Sequence, residues 1–298
     1  ETNGFLDYFR NYKYDLEKIQ AFNADLIVSL ELEKRNLWAG EKLKVKPYLI
    51  NDKKDAVEAE LIIRLNDRVC KREEIKIEAD SVQELAEFSV ELPELKNVEK
   101  LNLVAVLKQN ESILNKNNEQ IIVAAKNIIK EKNKEYLNQK SAENIIVTDK
   151  LDEEKLSSIW KGSSALFLAE AGEEITDKSL FNFKKLKKGE SWDKAASFHF
   201  LNTGELDENN VFNKISNWEL KNLFPDYTIE NIDDLYFEKM FSGYFSGWLG
   251  RLGATTVKIS YGSGNIIATT LKLKDNYSAQ PLAALLFNKL IDILKKEG

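Results

Sequence analysis

The sequence predicts two domains in series, an antiparallel β-sandwich followed by an α/β domain, and three observations carry that prediction. Between Ala24 and Ala125, apolar residues recur at every second position in short runs separated by turn formers. Beyond Lys140 the rhythm changes to strand, helix, strand. A chain of 298 residues is also too long for one ordinary domain and suits two.

The elements follow in order. Over Gly4 to Phe22, the aromatic residues Phe5, Tyr8, Phe9 and Tyr12 have three- and four-residue spacing. That spacing predicts an amphipathic helix with an aromatic face in need of a partner. In AELIIRLN, Leu61, Ile63 and Leu65 alternate with Glu60, Ile62 and Arg64, and in QELAEFSVEL, Ala86, Phe88 and Val90 oppose Glu87, Ser89 and Glu91. About seven such strands in a hundred residues are the signature of a sandwich. Asn36, Gly40, Asn51 to Asp55, Asn66-Asp67 and Asn115 to Asn118 mark its turns, and Pro47 implies an edge strand or a bulge. Residues 126–140, rich in lysine and asparagine, form a connecting segment with a strand end and a helix.

The second domain begins at about residue 141. Ile145 to Val147 is a short buried strand, Asp152 caps a helix that runs to Trp160, and Ala165 to Ala169 is a second buried strand. This order implies a parallel pair joined by a right-handed crossover. TTVKISY and IIATTLKL flank Gly262-Ser263-Gly264-Asn265 as a hairpin. A helix from about Ala279 to Lys296 closes the domain, with Leu282, Leu286, Leu290 and Leu294 along one face.

Composition narrows the function. Hydrophobic residues make up 43% and charged residues 31%, which excludes a mainly disordered chain. The net charge of -6 is spread along the length with no basic stripe, so a nucleic-acid partner is not expected. No apolar run approaches the roughly 20 residues that span a bilayer, and nothing points to a membrane. With one cysteine, Cys70, and one histidine, His199, there is neither an intrachain disulfide nor a Cys/His zinc site, and no cofactor is expected. The chain opens Glu-Thr-Asn and has Met240 as its only methionine, which implies a processed or trimmed N-terminus. The compartment is not legible.

Five features are candidate sites. Cys70 falls in a sandwich strand, remote from His199, and reads as a buried structural thiol rather than half of a nucleophilic dyad. His199 alternates with Phe198 and Phe200 and reads as a packed or surface histidine. Glu170, Glu173 and Glu174 follow the ALFLA strand, at the carboxyl end where open α/β sheets bind ligands; the plainer reading is a solvated loop. Gly262-Ser263-Gly264 lacks the helix that a phosphate loop must open, so its glycines serve a turn. In MFSGYFSGWLGRLG, Tyr244, Phe245 and Trp248 lie among glycines. They fill an internal gap or, with Trp192, form a sugar-stacking platform.

Several stretches together resemble the region downstream of the catalytic barrel in glycoside hydrolase family 2, the β-galactosidase and β-glucuronidase group. GFLDYFRNYKYD is similar to the end of such a barrel, and residues 1–23 would be its remnant and linker. Asn36-Leu37-Trp38-Ala39-Gly40-Glu41, followed by a strand ending in Asn51, is similar to the entry of the family's later immunoglobulin-like sandwich, here residues 24–125. GSGNIIATTLKL with SAQPLAALLFNKLIDIL resembles the close of an appended α/β domain, here residues 141–298. That domain is flavodoxin-like and three-layered, similar to class I glutamine amidotransferases.

The resemblance implies that both catalytic glutamates belong to a missing barrel of roughly 250 residues, so this piece holds no catalytic residue. The amidotransferase Cys-His-Glu triad is also absent, because the only cysteine lies in the other domain. The expected role is accessory: buttressing the barrel, shaping the substrate entrance or mediating homo-oligomer contacts. Two rivals stay open. One is a carbohydrate-binding module that stacks sugar on Tyr244, Trp248 or Trp192; the other is a stand-alone enzyme using Glu170 or Glu173 with His199.

Overall fold

The computed structural model describes residues 5–13, 15–137, 144–170, 180–186, 198–206, 212, 215, 218–230, 240–247 and 251–296. The chain forms two compact units, one of residues 1–94 and 100–123, the other of residues 95–99 and 124–298.

The first unit opens differently from the spacing-based expectation. Residues 5–13 turn back on themselves, with a bridge between Leu6 and Tyr12. The Asp7 carboxylate accepts from the backbone N–H of Asn11 at 2.8 Å and from its side-chain amide at 3.1 Å. Arg10 takes a left-handed φ of 70°. These side-chain bonds compete with the helical ladder, so Tyr8 and Phe9 stand exposed on a turn rather than on a helix face. The helix proper, α1 (Leu16–Phe22), starts where the Asp15 carboxylate caps the N–H of Glu17.

Nine strands follow: β1 (Leu26–Leu32), β2 (Asn36–Trp38), β3 (Lys42–Asn51), β4 (Val57–Leu65), β5 (Arg68–Ile77), β6 (Ser81–Glu84), β7 (Phe88–Glu91), β8 (Val98–Gln109) and β9 (Ser112–Ala124). One sheet runs β1-β3-β6 with β7 also on β3, and the other runs β2-β9-β8-β4-β5. This arrangement is consistent with a β-sandwich. Leu43, Val45, Leu49, Leu61, Ile63, Leu103 and Leu107 are fully buried, each on the alternating apolar face of its strand. Asn66 and Asn110 take positive φ in the two-residue connections β4–β5 and β8–β9, where asparagine is tolerated.

Three residues depart from expectation. Ile62 is buried although it alternates with the core face; its cross-strand neighbour Arg72 pairs with Glu60 at 3.3 Å. Cys70 is half-buried, because it occupies a bulge in β5, the last strand of its sheet. Pro47 sits in the central strand β3 and not at an edge. Its carbonyl accepts from Leu85 on the side where β7 ends and β6 begins, and its missing N–H faces that same gap.

In the second unit a short 3-10 turn, Lys126–Ile128, leads to α2 (Glu131–Leu137). Asn133 donates to Asn288 at 2.6 Å, and Tyr277 donates to the same oxygen at 2.9 Å, tying α2 to the C-terminal helix, Pro281–Lys296. Then come β10 (Ile145–Thr148), α3 (Glu153–Trp160) and β11 (Ser164–Leu168). Asp152 caps α3 through the N–H of Lys155 at 3.0 Å, as its sequence position predicts. The remaining strands are β12 (Asn182–Lys185), β13 (Phe198–Leu201), β14 (Tyr227–Glu230), β15 (Met240–Ser246), β16 (Arg251–Tyr261) and β17 (Gly264–Thr269).

One sheet contains these eight strands. β10, β11 and β17 pair in parallel, while β16 pairs antiparallel with β17, β15 and β14, and β13 extends β15. The expected parallel pair and the β16–β17 hairpin are therefore present, but more than half the sheet is antiparallel. Ala165, Phe167, Ile266 and Ala268 meet Leu156 and Ile159 of α3 in one core. The C-terminal helix packs against β11 and β17 and buries Leu282, Leu286, Leu290 and Leu294.

Candidate functional site

The carboxyl ends of β10, β11 and β17 bring Asp149, Glu170 and Lys274 together. Glu170 accepts from the backbone N–H of Lys274 at 2.7 Å, and the Lys274 ammonium lies 2.8 Å from Asp149 Oδ2. Burial pushes the Glu170 carboxyl above the usual carboxylate range, against the opposing pull of the Lys274 amide. The hydrogen bond to Lys274 holds Asp149 below that range, and the same bond raises Lys274. The trio is a brace across the strand ends, with one ammonium against two carboxylates and the carboxylate of intermediate burial bonded to a backbone amide.

A second polar group lies inside the sheet. A register shift between β15 and β16 leaves Thr255 as an extra residue opposite Ser242 and Gly243. Its hydroxyl lies 2.7 Å from His199 Nε2 and 2.7 Å from Ser242 Oγ, and its carbonyl accepts from the N–H of Thr270 at 2.8 Å. Thr256 and Thr269 join hydroxyls at 2.9 Å on adjacent strands. His199 is 4% exposed, and Ser242 and Thr255 are fully buried. Desolvation alone pushes the imidazole down to about 3, so it is neutral at physiological pH. Of the two positions left open by the sequence, packed or surface, His199 takes the packed one.

The structure does not bring Glu170 and His199 together. β11 and β13 are separated by β17, β16 and β15, which places their backbones about 19 Å apart at ~4.8 Å per strand. Tyr244 lies opposite His199 on β15, half-buried, with its ring edge-on to Phe224 at 5.6 Å. Glu173, Trp192 and Trp248 lie outside the described residues. The glycine turn has a packing explanation. Gly262 takes a φ of 62°, and a Cβ at Gly264 would collide with the backbone oxygens of Ser163 and Ile159. Among the described residues, no three His, Cys, Asp or Glu side chains group as a metal site, and no helix is long and apolar enough to cross a membrane.

Lys274, Asp149, Thr255 and Ser242 were not singled out from sequence. Asp149 and Lys274 could have been found from their positions just past β10 and β17, by the carboxyl-end rule that singled out Glu170. The hydroxyl seam has no such signal, because it depends on a bulge.

No protein-family description and no curated protein matches this chain. Solved structures share parts of it. The CARDB domain of a Pyrococcus furiosus protein is 13% identical, with 34% of this chain and 92% of that one covered at a TM-score of 0.28. The sporulation control protein Spo0M from Bacillus subtilis is 16% identical, with 39% of this chain and 55% of that one covered at 0.29. A β-glucuronidase from glycoside hydrolase family 2 is 9% identical, with 31% of this chain but 11% of that one covered at 0.24. At such scores these likenesses define neither the fold nor the function.

Proposed function

We propose that this chain is a non-catalytic accessory part of a family 2 glycoside hydrolase, acting beside a catalytic barrel carried by the parent enzyme. In this reading the first unit is an immunoglobulin-like sandwich and the second a three-layer α/β domain of the glutamine amidotransferase type. Their role is to buttress the barrel, shape its substrate entrance or join copies of the enzyme. The sequence resemblance motivates the reading. The observation that carries it is the state of His199: the chain's one imidazole is buried, held neutral and bonded to Thr255. It offers no base to substrate, and its partner of the rival enzymatic reading, Glu170, stands several strands away on a backbone amide.

Two features of the resemblance have structural duties that support this assignment. Asn51 is fully buried and holds carbonyls of the following loop and of β5. The Trp38 N–H donates to the Glu41 carboxylate at 3.1 Å, closing the turn after β2. Neither residue faces a reaction.

The test is turnover of nitrophenyl β-galactoside, β-glucuronide, β-glucoside and β-mannoside by the purified chain. No rate above the blank is expected. Hydrolysis that survives purification and vanishes in Glu170→Gln would overturn the accessory reading. An immunoblot of source cells adds a size test: the parent should run far above 34.2 kDa.

A further inference from the structure

We infer that Trp160, backed by Tyr261 and Gly262, is a sugar-stacking site that binds one pyranose ring of a neutral β-linked oligosaccharide. Trp160 ends α3, directly after the buried Ile159, yet 60% of it is exposed. Its ring is open to solvent and also held in place. The Tyr261 ring stands nearly perpendicular to it, at 78° with 5.4 Å between centroids. Gly262 lies so close that a Cβ there would sit 2.6 Å from indole Cδ2. The backbone is locked as well: the Ser263 N–H donates to the Trp160 carbonyl at 3.0 Å. The indole therefore rests on a glycine shelf beside a tyrosine wall, and ordering it on binding costs little rotamer entropy.

The surroundings select the ligand class. Ser157 lies one helical turn before Trp160 and on the same side of α3, Lys161 follows it, and Ser263 is bonded to its backbone. All three are exposed. An exposed apolar ring whose neighbours along the chain carry hydroxyls and an ammonium suits a pyranose, which presents C–H bonds on its face and hydroxyls around its rim. A protein-docking patch of this size would carry further exposed apolar residues in the same segments, and 153–163 and 258–265 hold none besides Trp160. The preference for a neutral β-linked glycan rests on the glycosidase reading above. The presence of a sugar site does not, so the two can fail separately.

Saturation-transfer difference NMR on the intact chain tests the site, with cellotriose, mannotriose and β-1,4-galactotriose as probes at up to ~10 mM. That ceiling exceeds the Kd on the order of 1 mM expected of a single stacked ring. Saturation should concentrate on the axial C–H protons of one sugar residue. Trp160→Ala should weaken binding about tenfold, with an unchanged melting curve. Gly262→Ala, whose methyl would meet indole Cδ2 and the Trp160 carbonyl oxygen at 2.6 Å and so shifts ring and turn together while keeping every aromatic ring, should weaken it as well. If Trp160→Ala does not fold, Trp160→Gln takes its place, since a polar side chain suits that exposed position. Absence of binding by all three trisaccharides overturns the proposal, and so does affinity that persists unchanged in the folded variant. A chain that binds sugar at Trp160 and also hydrolyses glycosides would retain this site while refuting the accessory reading.

Discussion

Replacing Asn51 by alanine removes a side chain that organises one end of the first unit. Its Nδ2 lies 3.0 Å from the Asp55 carbonyl, 3.4 Å from that of Ile77 and 3.0 Å from that of Glu78, while its Oδ1 accepts from the Lys53 N–H at 3.0 Å. A carboxamide has two N–H donors, so two of the three carbonyls are served at once, and the side chain makes about three bonds in total. Asn51 has no solvent access, so water cannot take over those bonds without opening the strand end. At about 1 kcal/mol per bond the loss is about 3 kcal/mol, a factor of about 150 in the opening equilibrium. Hydrogen exchange followed by mass spectrometry isolates the effect, because peptides from β3 and β4 report on this unit alone. Their slowest amides should exchange about 150-fold faster in Asn51→Ala, while the C-terminal helix of the other unit keeps its protection. An acceleration below about fivefold would mean that the side-chain bonds are dispensable, and the reasoning fails.

The second unit supplies the other expectations. Because the folded state holds His199 near 3 against 6.5 for the free side chain, the unfolded chain takes up that proton first on acidification. Stability should therefore fall between about pH 6.5 and 3, by up to about 1.4 kcal/mol per pH unit, and His199→Gln should remove that slope. Urea midpoints of both proteins from pH 7 to 4 decide it, and parallel curves contradict the linkage. Gly264→Ala drives a methyl group into the backbone oxygens of Ser163 and Ile159, neither of which can swing aside, and should cost about 3 kcal/mol by thermal melting. A melting temperature equal to wild type counts against that packing. Glu170→Gln keeps an acceptor for the Lys274 amide and sheds a buried charge, so urea stability at pH 7 should stay within about 0.5 kcal/mol. A loss beyond about 1 kcal/mol would assign the brace to charge.

Period-two alternation made the strands of the first unit legible, because a half-buried sheet writes its exposure directly into the sequence. The turn expected at Asn115 to Asn118, however, lies within β9, and the chain reverses instead at Asn110. Alternation also misled at Ile62, which alternates into the polar face and is nonetheless buried, opposite Arg72 on a different strand. Aromatic spacing over residues 5–12 was read as helical, but periodicity records positions and not the competition from the Asp7 side chain, which bonds Asn11 and turns the chain back. In the second unit, the capped helix between two apolar runs revealed β10, α3 and β11. The antiparallel strands beyond them carry bulges, and a bulge breaks the parity on which alternation depends.

The candidate sites show a deeper limit. Glu170 was placed correctly after β11 by the carboxyl-end rule, yet what decides its chemistry is the amide of Lys274, and a backbone donor leaves no mark in a sequence. Every residue other than proline has one. His199 and Thr255 are 56 positions apart and meet because an extra residue in β16 redirects a hydroxyl. Trp160 is the reverse case. The sequence placed it only as the end of the helix that Asp152 caps, and the partner that orients it, Gly262, was explained locally as a turn residue. The glycine does serve the turn, since its φ is 62°. It also clears space for an indole about a hundred positions earlier in the chain. One residue can therefore satisfy a local rule completely and still carry a second, long-range constraint, so explaining a glycine by its turn does not exhaust what selected it.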